Sequence, residues 1–420
     1  MSRELEADRD ESVVYYRKHN GELILGPTSF EDRESGSSAE RDGQPHVGPA
    51  HIFRKKFYQM LLRQVAKLGI KIEYGQRVER YFENEEAGVG GVVTQNGTIR
   101  VAHIVVAADA FRTRSDLLIA GEHMPTRSSG MSVYRTALRT ELALRDEAFK
   151  KRWGDIPSKK ASHHEFWIAP GMHLGLFISP EFVAYGLTPR DRFLQQGGNE
   201  PVETWEPDVD PEEVVKVLRR IPNWDPAIEG LIRNTPKGAI VHWPLLWRNL
   251  RREWTSKGGR VVQVGDAAHS TVPTSISGAT LAVEDAATLA ACLQLAASSG
   301  VSGGPLGARV YNLLRYQRVS CVQKMSFVNS EALGDSNIDE LKNNPEKVRV
   351  RFPKWLFKHE PETYAYEKYG QAFAHLVLGA RFQNTNYPPG YKWRPWTIEE
   401  IHADVLDGKR IADFLDGDWS

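Results

Sequence analysis

Cysteine is nearly absent from this chain. Cys292 and Cys321 are the only two in 420 residues, which excludes a disulfide framework and a cysteine metal site and makes a reducing, cytoplasmic setting the expectation. An excess of charge of one sign is missing too. Lys plus Arg and Asp plus Glu number 54 each, and no basic stripe interleaved with aromatics stands out, so nucleic acid is not the expected partner. No uninterrupted apolar run approaches the roughly 20 residues that span a bilayer, and Met1 to Glu11 is charged, so neither a membrane span nor a signal peptide is expected. Internal repeats and low-complexity tracts are likewise lacking. Hydrophobic residues make up 41% and charged residues 26%, enough for a large core and two joined domains with a small molecule as the default ligand. Composition leaves the oligomeric state open.

Along the chain, Val13 to Tyr16 and Leu23 to Leu25 flank Asn20-Gly21, a dipeptide suited to a tight hairpin turn. Residues 31–50 are rich in Gly, Ser, Asp and Glu and read as a loop. From Ile52 to Leu68 the apolar positions Phe53, Phe57, Met60, Leu61, Val65 and Leu68 recur near helical period, and Gly69 supplies a stop. Short strands are expected at Ile70 to Tyr74, Arg77 to Phe82, Gly91 to Thr94 and Ile99 to Val101, followed by an apolar run from His103 to Ala108 of the kind that forms a buried parallel strand. Aromatics then alternate through Ser132 to Ala137, Glu165 to Ile168, Leu174 to Ile178 and Val183 to Leu187. Those segments predict an antiparallel sheet over which a flat apolar ligand can lie. Arg260 to Val264 is another apolar strand, and helices are expected from about Gly278 to Ala297 and from Leu306 to Phe327. The Trp-, Tyr- and Pro-rich tail from Phe352 to Trp419 is expected to wrap back onto the body.

The string carrying most chemistry is Gly265-Asp266-Ala267-Ala268-His269, directly after a strand and followed by Pro273, Ser277-Gly278-Ala279 and a long helix containing Glu284-Asp285-Ala286. A strand ending in Gly-Asp places a carboxylate at the carboxyl edge of a sheet, where it accepts hydrogen bonds from a sugar-alcohol chain. The helix starting at Gly278 directs unsatisfied backbone N–H groups and a positive dipole end at the same ligand. A reduced flavin carries negative charge at one end of its ring system and is stabilised by donors fixed in this way.

In these motifs the chain resembles the group A FAD-dependent aromatic monooxygenases, the salicylate and para-hydroxybenzoate hydroxylase family, and especially its fungal members acting in secondary metabolism. The resemblance covers residues 13–330. It implies that Gly265, Asp266, Pro273, Gly278 and Ala279 bind FAD, with Asp266 on the ribityl chain. The family's second fingerprint, an apolar strand ending in Asp-Gly with a following Arg and Ser, is matched by Val105 to Ala110 with Arg112, Arg114 and Ser115, and implies that Asp109 helps organise FAD and the nicotinamide donor. A helix-start Arg that contacts FAD is matched by Arg54. Tyr134-Arg135 lies on the first strand of the substrate sheet, where the resemblance implies catalytic residues, with Arg135 orienting the substrate, since a permanent cation favours an ionised phenol. Trp167, His173, Phe177, Tyr185 and Trp243 are candidates for the pocket lining.

The family's opening strand, G-x-G-x-x-G turn and helix have no counterpart here. Ala110 stands where the second fingerprint has Gly, Ser270 where Pro often follows, and Ile276-Ser277 where a small residue and Gln are more usual. The fold class expected is α/β: a Rossmann-like FAD/NAD(P)-binding domain lacking its amino-terminal βαβ unit, an inserted antiparallel-sheet substrate domain and a helical C-terminal region. The boundaries are residues 1–125 and 251–300 for the flavin domain, 126–250 for the substrate domain and 301–420 for the C-terminal region. Without the βαβ unit, buried edges of the parallel sheet are expected to stand unpaired. The implied function is hydroxylation or epoxidation of an aromatic, polycyclic or olefinic small molecule with FAD, O2 and NADPH or NADH. The alternative is a flavin-free relative that binds a hydrophobic metabolite, as a non-redox cyclase or as an inactive pseudo-enzyme.

Overall fold

The computed structural model describes residues 13–28, 54–156, 158, 162–194, 206–275, 277–298, 303–334, 343–350, 353–409 and 411–419. The loop expected over residues 31–50, and Ile52, Phe53 and Ile276, lie outside them. In chain order the strands are β1 (Val13–Lys18), β2 (Leu23–Thr28), β3 (Val78–Asn84), β4 (Val89–Thr94), β5 (Ile99–Ala102), β6 (Val105–Ala107), β7 (Arg127–Arg139), β8 (His163–Ala169), β9 (Met172–Ile178), β10 (Phe182–Pro189), β11 (Glu206–Val209), β12 (Ile240–Trp247) and β13 (Val261–Gln263). The helices are α1 (Arg54–Lys67), α2 (Asp116–Ala120), α3 (Thr140–Ala143), α4 (Glu147–Trp153), α5 (Pro211–Leu218), α6 (Pro226–Arg233), α7 (Gly278–Ala297) and α8 (Gly303–Gly334), then Lys354–Phe357, Pro361–Leu378 and Ile398–Leu406. The class is α/β with a helical C-terminal region.

The chain divides into two compact units: residues 1–74, 130–245 and 332–350 in the first, and 75–129, 246–331 and 351–420 in the second. The first unit is built on an eight-stranded mixed sheet of order β11-β12-β7-β10-β9-β8-β1-β2. Its β1–β2 hairpin turns through Asn20-Gly21, where Gly21 has φ +90°. Because side chains alternate along a strand, the pairings sort the sheet into two faces. Tyr134, Leu187, Leu174 and Trp167 form one row across it, and all four belong to a core closed by Phe149 and Trp153 of α4, Val214, Val215 and Leu218 of α5 and Ile228, Leu231 and Ile232 of α6. Asp146, Asp210 and Asp225 cap these three helices with their side chains, and proline opens the latter two.

The second unit holds a three-stranded antiparallel sheet, β3-β4-β5, and a two-stranded parallel sheet, β6–β13. The parallel register sets Val105 against Val261 and Ala107 against Gln263. Among the described residues this sheet has no third strand, and Val106 is 45% exposed. Helices α7 and α8 cover it with Leu281, Leu289, Cys292, Tyr311, Leu314 and Val322, and the tail adds Tyr387, Tyr391 and Trp419 to the same core. Helix α7 is long and apolar enough to cross a membrane by length and composition alone, but its Glu284 and Asp285 are buried in ion pairs to α8, which marks a core helix.

One expectation needs correction. Ile70 to Tyr74 is not a strand; its alternating Ile70, Ile72 and Tyr74 are exposed rather than paired. The apolar spacing of α1 buries only Met60, and Leu61 and Leu68 stand in solvent. Local periodicity proposes a face, but a neighbouring element has to cover it.

Candidate active site

In the second unit, β6 and β13 run side by side in the same direction, so the loops that follow them leave the same edge of one sheet. One loop carries Asp109 and the other Asp266. Val261, Val262 and Gln263 are buried, and the chain then turns at Gly265 with φ +58°. A Cβ there would stand 3.1 Å from that of Ala282, so glycine permits both the left-handed turn and the close approach of α7. Gly265, Ala267 and Ala268 are buried while Asp266 is exposed between them. Among the described residues its carboxylate has no hydrogen bond or ion pair.

The turn is held from both sides. Beneath it, Asp285 Oδ2 accepts from the N–H of Gly265 at 2.8 Å and lies 2.6 Å from Nε2 of His269. Arg315 reaches Asp285 at 2.8 Å and Glu284 at 2.6 Å, and Arg318 grips both oxygens of Glu284 at 2.8 and 2.9 Å. Burial alone would raise both carboxyls, but His269 and Arg315 hold Asp285 well below the usual range, and Arg315 with Arg318 holds Glu284 at about 2. On the other side Arg248 donates to the carbonyl oxygen of Asp266 at 2.8 Å and pairs with Asp116 at 3.3 Å. Gln263 ties Asp116 and Ser115 together, with both contacts at 2.9 Å. The segment after Asp109 is thereby fastened to the strand that leads to Asp266.

Asp109 is exposed, accepts from the N–H of Arg114 at 3.0 Å and is hydrogen-bonded to the Tyr81 hydroxyl. The next residue, Ala110, has φ +66°, so the backbone keeps the left-handed conformation for which glycine would be the unstrained choice. Pro273 is exposed at the start of a short turn, and α7 begins at Gly278 with no side-chain cap from Ser277. Among the described residues no side chain caps the amides of its first turn, which include those of the partly open Gly278 and exposed Ala279. Asp109, Gly265, Asp266, Pro273, Gly278 and Ala279 all belong to this unit. Asp285, Arg315, Arg318, Arg248 and Gln263 were given no site role from the sequence. The opposed charges Glu284-Asp285 and Arg315/Arg318 in two apolar helices were the available signal.

The first unit contains Arg54, Tyr134 and Arg135. Tyr134 is buried on the helix-covered face and stacks on His242 with ring centroids 4.4 Å apart. Arg135, the next residue, points to the other face and is exposed. Period-two alternation places the two on opposite faces of the sheet. Among the described residues Arg135 has no acidic partner; its guanidinium is lowered first by burial and then by the cation of Arg54. Of the expected pocket aromatics, Trp167 and Tyr185 lie in the helix-side core, where Trp167 donates to Glu165 at 3.0 Å and the Tyr185 hydroxyl lies 3.0 Å from that of Thr235. His173 and Phe177 share the face of Arg135 by register.

Residues 37–303 match the family model described as FAD binding domain. The chain belongs to this family of FAD-dependent monooxygenases. It is 73% identical to the FAD-dependent monooxygenase AacuC of Aspergillus aculeatus, across 100% of this chain and 82% of that protein. It is 69% identical to an FAD-dependent monooxygenase of Claviceps purpurea, over the same shares. Its fold superposes on the crystal structure of CtdE in complex with FAD and substrate with a TM-score of 0.75 at 21% identity, over 89% of this chain and 85% of that one. FAD is therefore the cofactor of the family to which these loops belong.

Proposed function

We propose that the chain uses FAD, O2 and NADPH or NADH to hydroxylate or epoxidise an electron-rich aromatic or olefinic small molecule of secondary metabolism. The observation that carries the flavin assignment is the exposed carboxylate of Asp266, which has no partner among the described residues, held at the edge of a buried parallel strand and followed by a helix that Ser277 leaves uncapped. The residues fit the group. A fixed carboxylate suits the hydroxyls of a ribityl chain, and helix amides suit the end of an isoalloxazine that becomes anionic on reduction. When bound, FAD supplies two-electron redox chemistry and activates oxygen.

The chain supplies position and charge. Asp266 accepts from the ribityl hydroxyls, and the first-turn amides at Gly278 and Ala279 hold negative charge. Gly265 and Pro273 shape the loop between them. Asp109 and Arg54 complete the flavin set, and Arg135 orients the substrate by favouring its ionised phenol. The proposed setting is the cytoplasm, where the two buried free thiols, Cys292 and Cys321, stay reduced. Replacing Asp266 with Ala tests the assignment: flavin retained after purification is expected to fall at least about ten-fold, the loss of one or two charge-assisted hydrogen bonds. An unchanged flavin-to-protein ratio would overturn it.

A further inference from the structure

On the Arg248 side of the Gly265-Asp266 turn, the second unit holds a small cavity of about 10 Å³. Asp116, Arg248, Asn249 and Arg251 line it together with residues 267–270. A space of this size takes one particle about as large as a water molecule. Chloride is only slightly larger than water, whereas sulfate, phosphate and organic carboxylates are too large to enter.

The charges in the wall do not balance. Two guanidinium groups, those of Arg248 and Arg251, share it with a single carboxylate, Asp116. That carboxylate is already engaged: Oδ1 accepts from Gln263 at 2.9 Å, and Oδ2 accepts from Arg248 and from the N–H of Met124, both at 3.3 Å. Asn249 is committed to the tail, accepting from the N–H of Ile398 at 2.8 Å and donating to Glu399 at 2.7 Å. Ser270 accepts from the N–H of Arg248 at 3.0 Å through Oγ and from Gln323 at 2.8 Å through its carbonyl.

Arg248 directs its charge to Asp116 and to the carbonyl oxygens of Asp266 and Ala267, at 2.8 and 3.4 Å. Arg251 has no such outlet. Its Nη1 is buried, and among the described residues its side chain forms no hydrogen bond or ion pair. The neighbouring acid, Glu253, lies 3.9 Å from Arg252 instead. A partly buried cation without a counter-charge is unfavourable. What relieves it here is a negatively charged acceptor that fits a space of atomic size.

We propose that this cavity binds one chloride ion, held by Arg251 and Arg248 against the 267–270 segment. The ion fastens the loop that presents Asp266 to the 248–251 segment, and nothing in the site requires FAD to be bound.

The first test is thermal unfolding of the full chain in sodium chloride and in sodium gluconate at equal ionic strength, so that screening is the same in both. Chloride is expected to raise the melting temperature by about 2 °C or more over gluconate, saturating at millimolar concentration as mass action on a specific site requires. Arg251→Gln should bring that difference below about 0.5 °C. In gluconate it should leave the protein as stable as the unaltered chain or more so, because it removes an uncompensated charge. An arginine with only a structural role would lose equally in both salts, and that result overturns the proposal. So does a chloride effect that keeps climbing at molar salt, the mark of an adventitious ion only. Should glutamine prevent folding, Arg251→Met keeps the stem of the side chain without its charge and is held to the same outcomes. The second test is anomalous diffraction from crystals of the full chain grown in sodium bromide. One bromide peak is expected in contact with Arg251 Nη1, and a water molecule there instead overturns the assignment.

Discussion

The carboxylate of Asp285 lies 2.6 Å from Nε2 of His269, with both side chains fully buried, and the same oxygen accepts from the backbone of Gly265. One group thus ties helix α7 to the turn that presents Asp266. Behind it, Arg315, Glu284 and Arg318 continue the charge chain into α8. Buried ion pairs are weak contributors to net stability but costly to break on one side. Their value here is positional, since the Gly265-Asp266 turn is pinned from beneath by Asp285 and from above by Arg248.

Glu284 gives this network a pH signature. Its carboxyl falls from 4.5 to about 2 in the folded protein, which corresponds to on the order of 3 kcal/mol. Because the folded value is depressed, that stability is fully present above about pH 5 and is lost as pH falls toward 2. Glu284→Gln should lower the urea midpoint strongly at pH 7, by roughly 3–5 kcal/mol of unfolding free energy. The gap from the unaltered protein should narrow between pH 4 and pH 2.5. A gap independent of pH would show that Glu284 is not ionised in the fold.

Ala110 carries a backbone strain that its side chain does not require. At φ +66° an alanine pays a steric cost that glycine avoids, so Ala110→Gly should raise stability by about 0.5–1 kcal/mol and the melting temperature by a few degrees. Flavin content should stay the same, since the turn is already in place. A lower melting temperature would mean that alanine is favoured at this φ.

The sequence made legible what local patterning controls. The bounds of α7 follow from Gly278 and the end of its apolar run, and the strand before Gly265-Asp266 follows from the three valines Val261, Val262 and Val264. The hairpin at Asn20-Gly21 was readable for the same reason. What stayed hidden depends on distant partners. Ile70, Ile72 and Tyr74 alternate as a strand would, yet no strand pairs with them among the described residues. Arg315 and Arg318 look like solvated helix positions until Glu284 and Asp285, at sequence separations of 30, 31 and 34, are seen beside them. The two faces at Tyr134 and Arg135 were legible in principle from alternation alone, but which face a helix layer covers is a tertiary fact.

Tyr134 therefore separates structure from chemistry. Its ring packs in the helix-side core on His242, and burial, then Glu206 and Glu213, push its hydroxyl up to about 12. Tyr134→Phe keeps the ring and should leave turnover within about two-fold, because a neutral, buried phenol on the far face can neither donate to nor accept from a ligand at Arg135. A loss of turnover comparable to that of an Arg135 variant, with flavin content unchanged, would return Tyr134 to the site.

Arg135 makes the sharpest prediction, because its guanidinium meets no carboxylate among the described residues and its register row on the sheet continues through Gly186 and Gly175. A cation with no protein counter-charge, beside a second cation at Arg54, favours the ionised form of a phenolic ligand and lowers that ligand's pKa on binding. Arg135→Gln removes the charge while keeping a hydrogen-bond donor. Turnover should fall by roughly ten-fold to a hundred-fold, the equivalent of about 1.5–3 kcal/mol for a charge-assisted hydrogen bond. The deficit should shrink as pH is raised past the pKa of the free substrate, where ionisation no longer needs the cation. Arg135→Lys, which restores charge without the planar fork, should recover part of the rate. Flavin content should not change in either variant. A pH-independent deficit would assign Arg135 to packing, and full turnover in Arg135→Gln would remove it from the site.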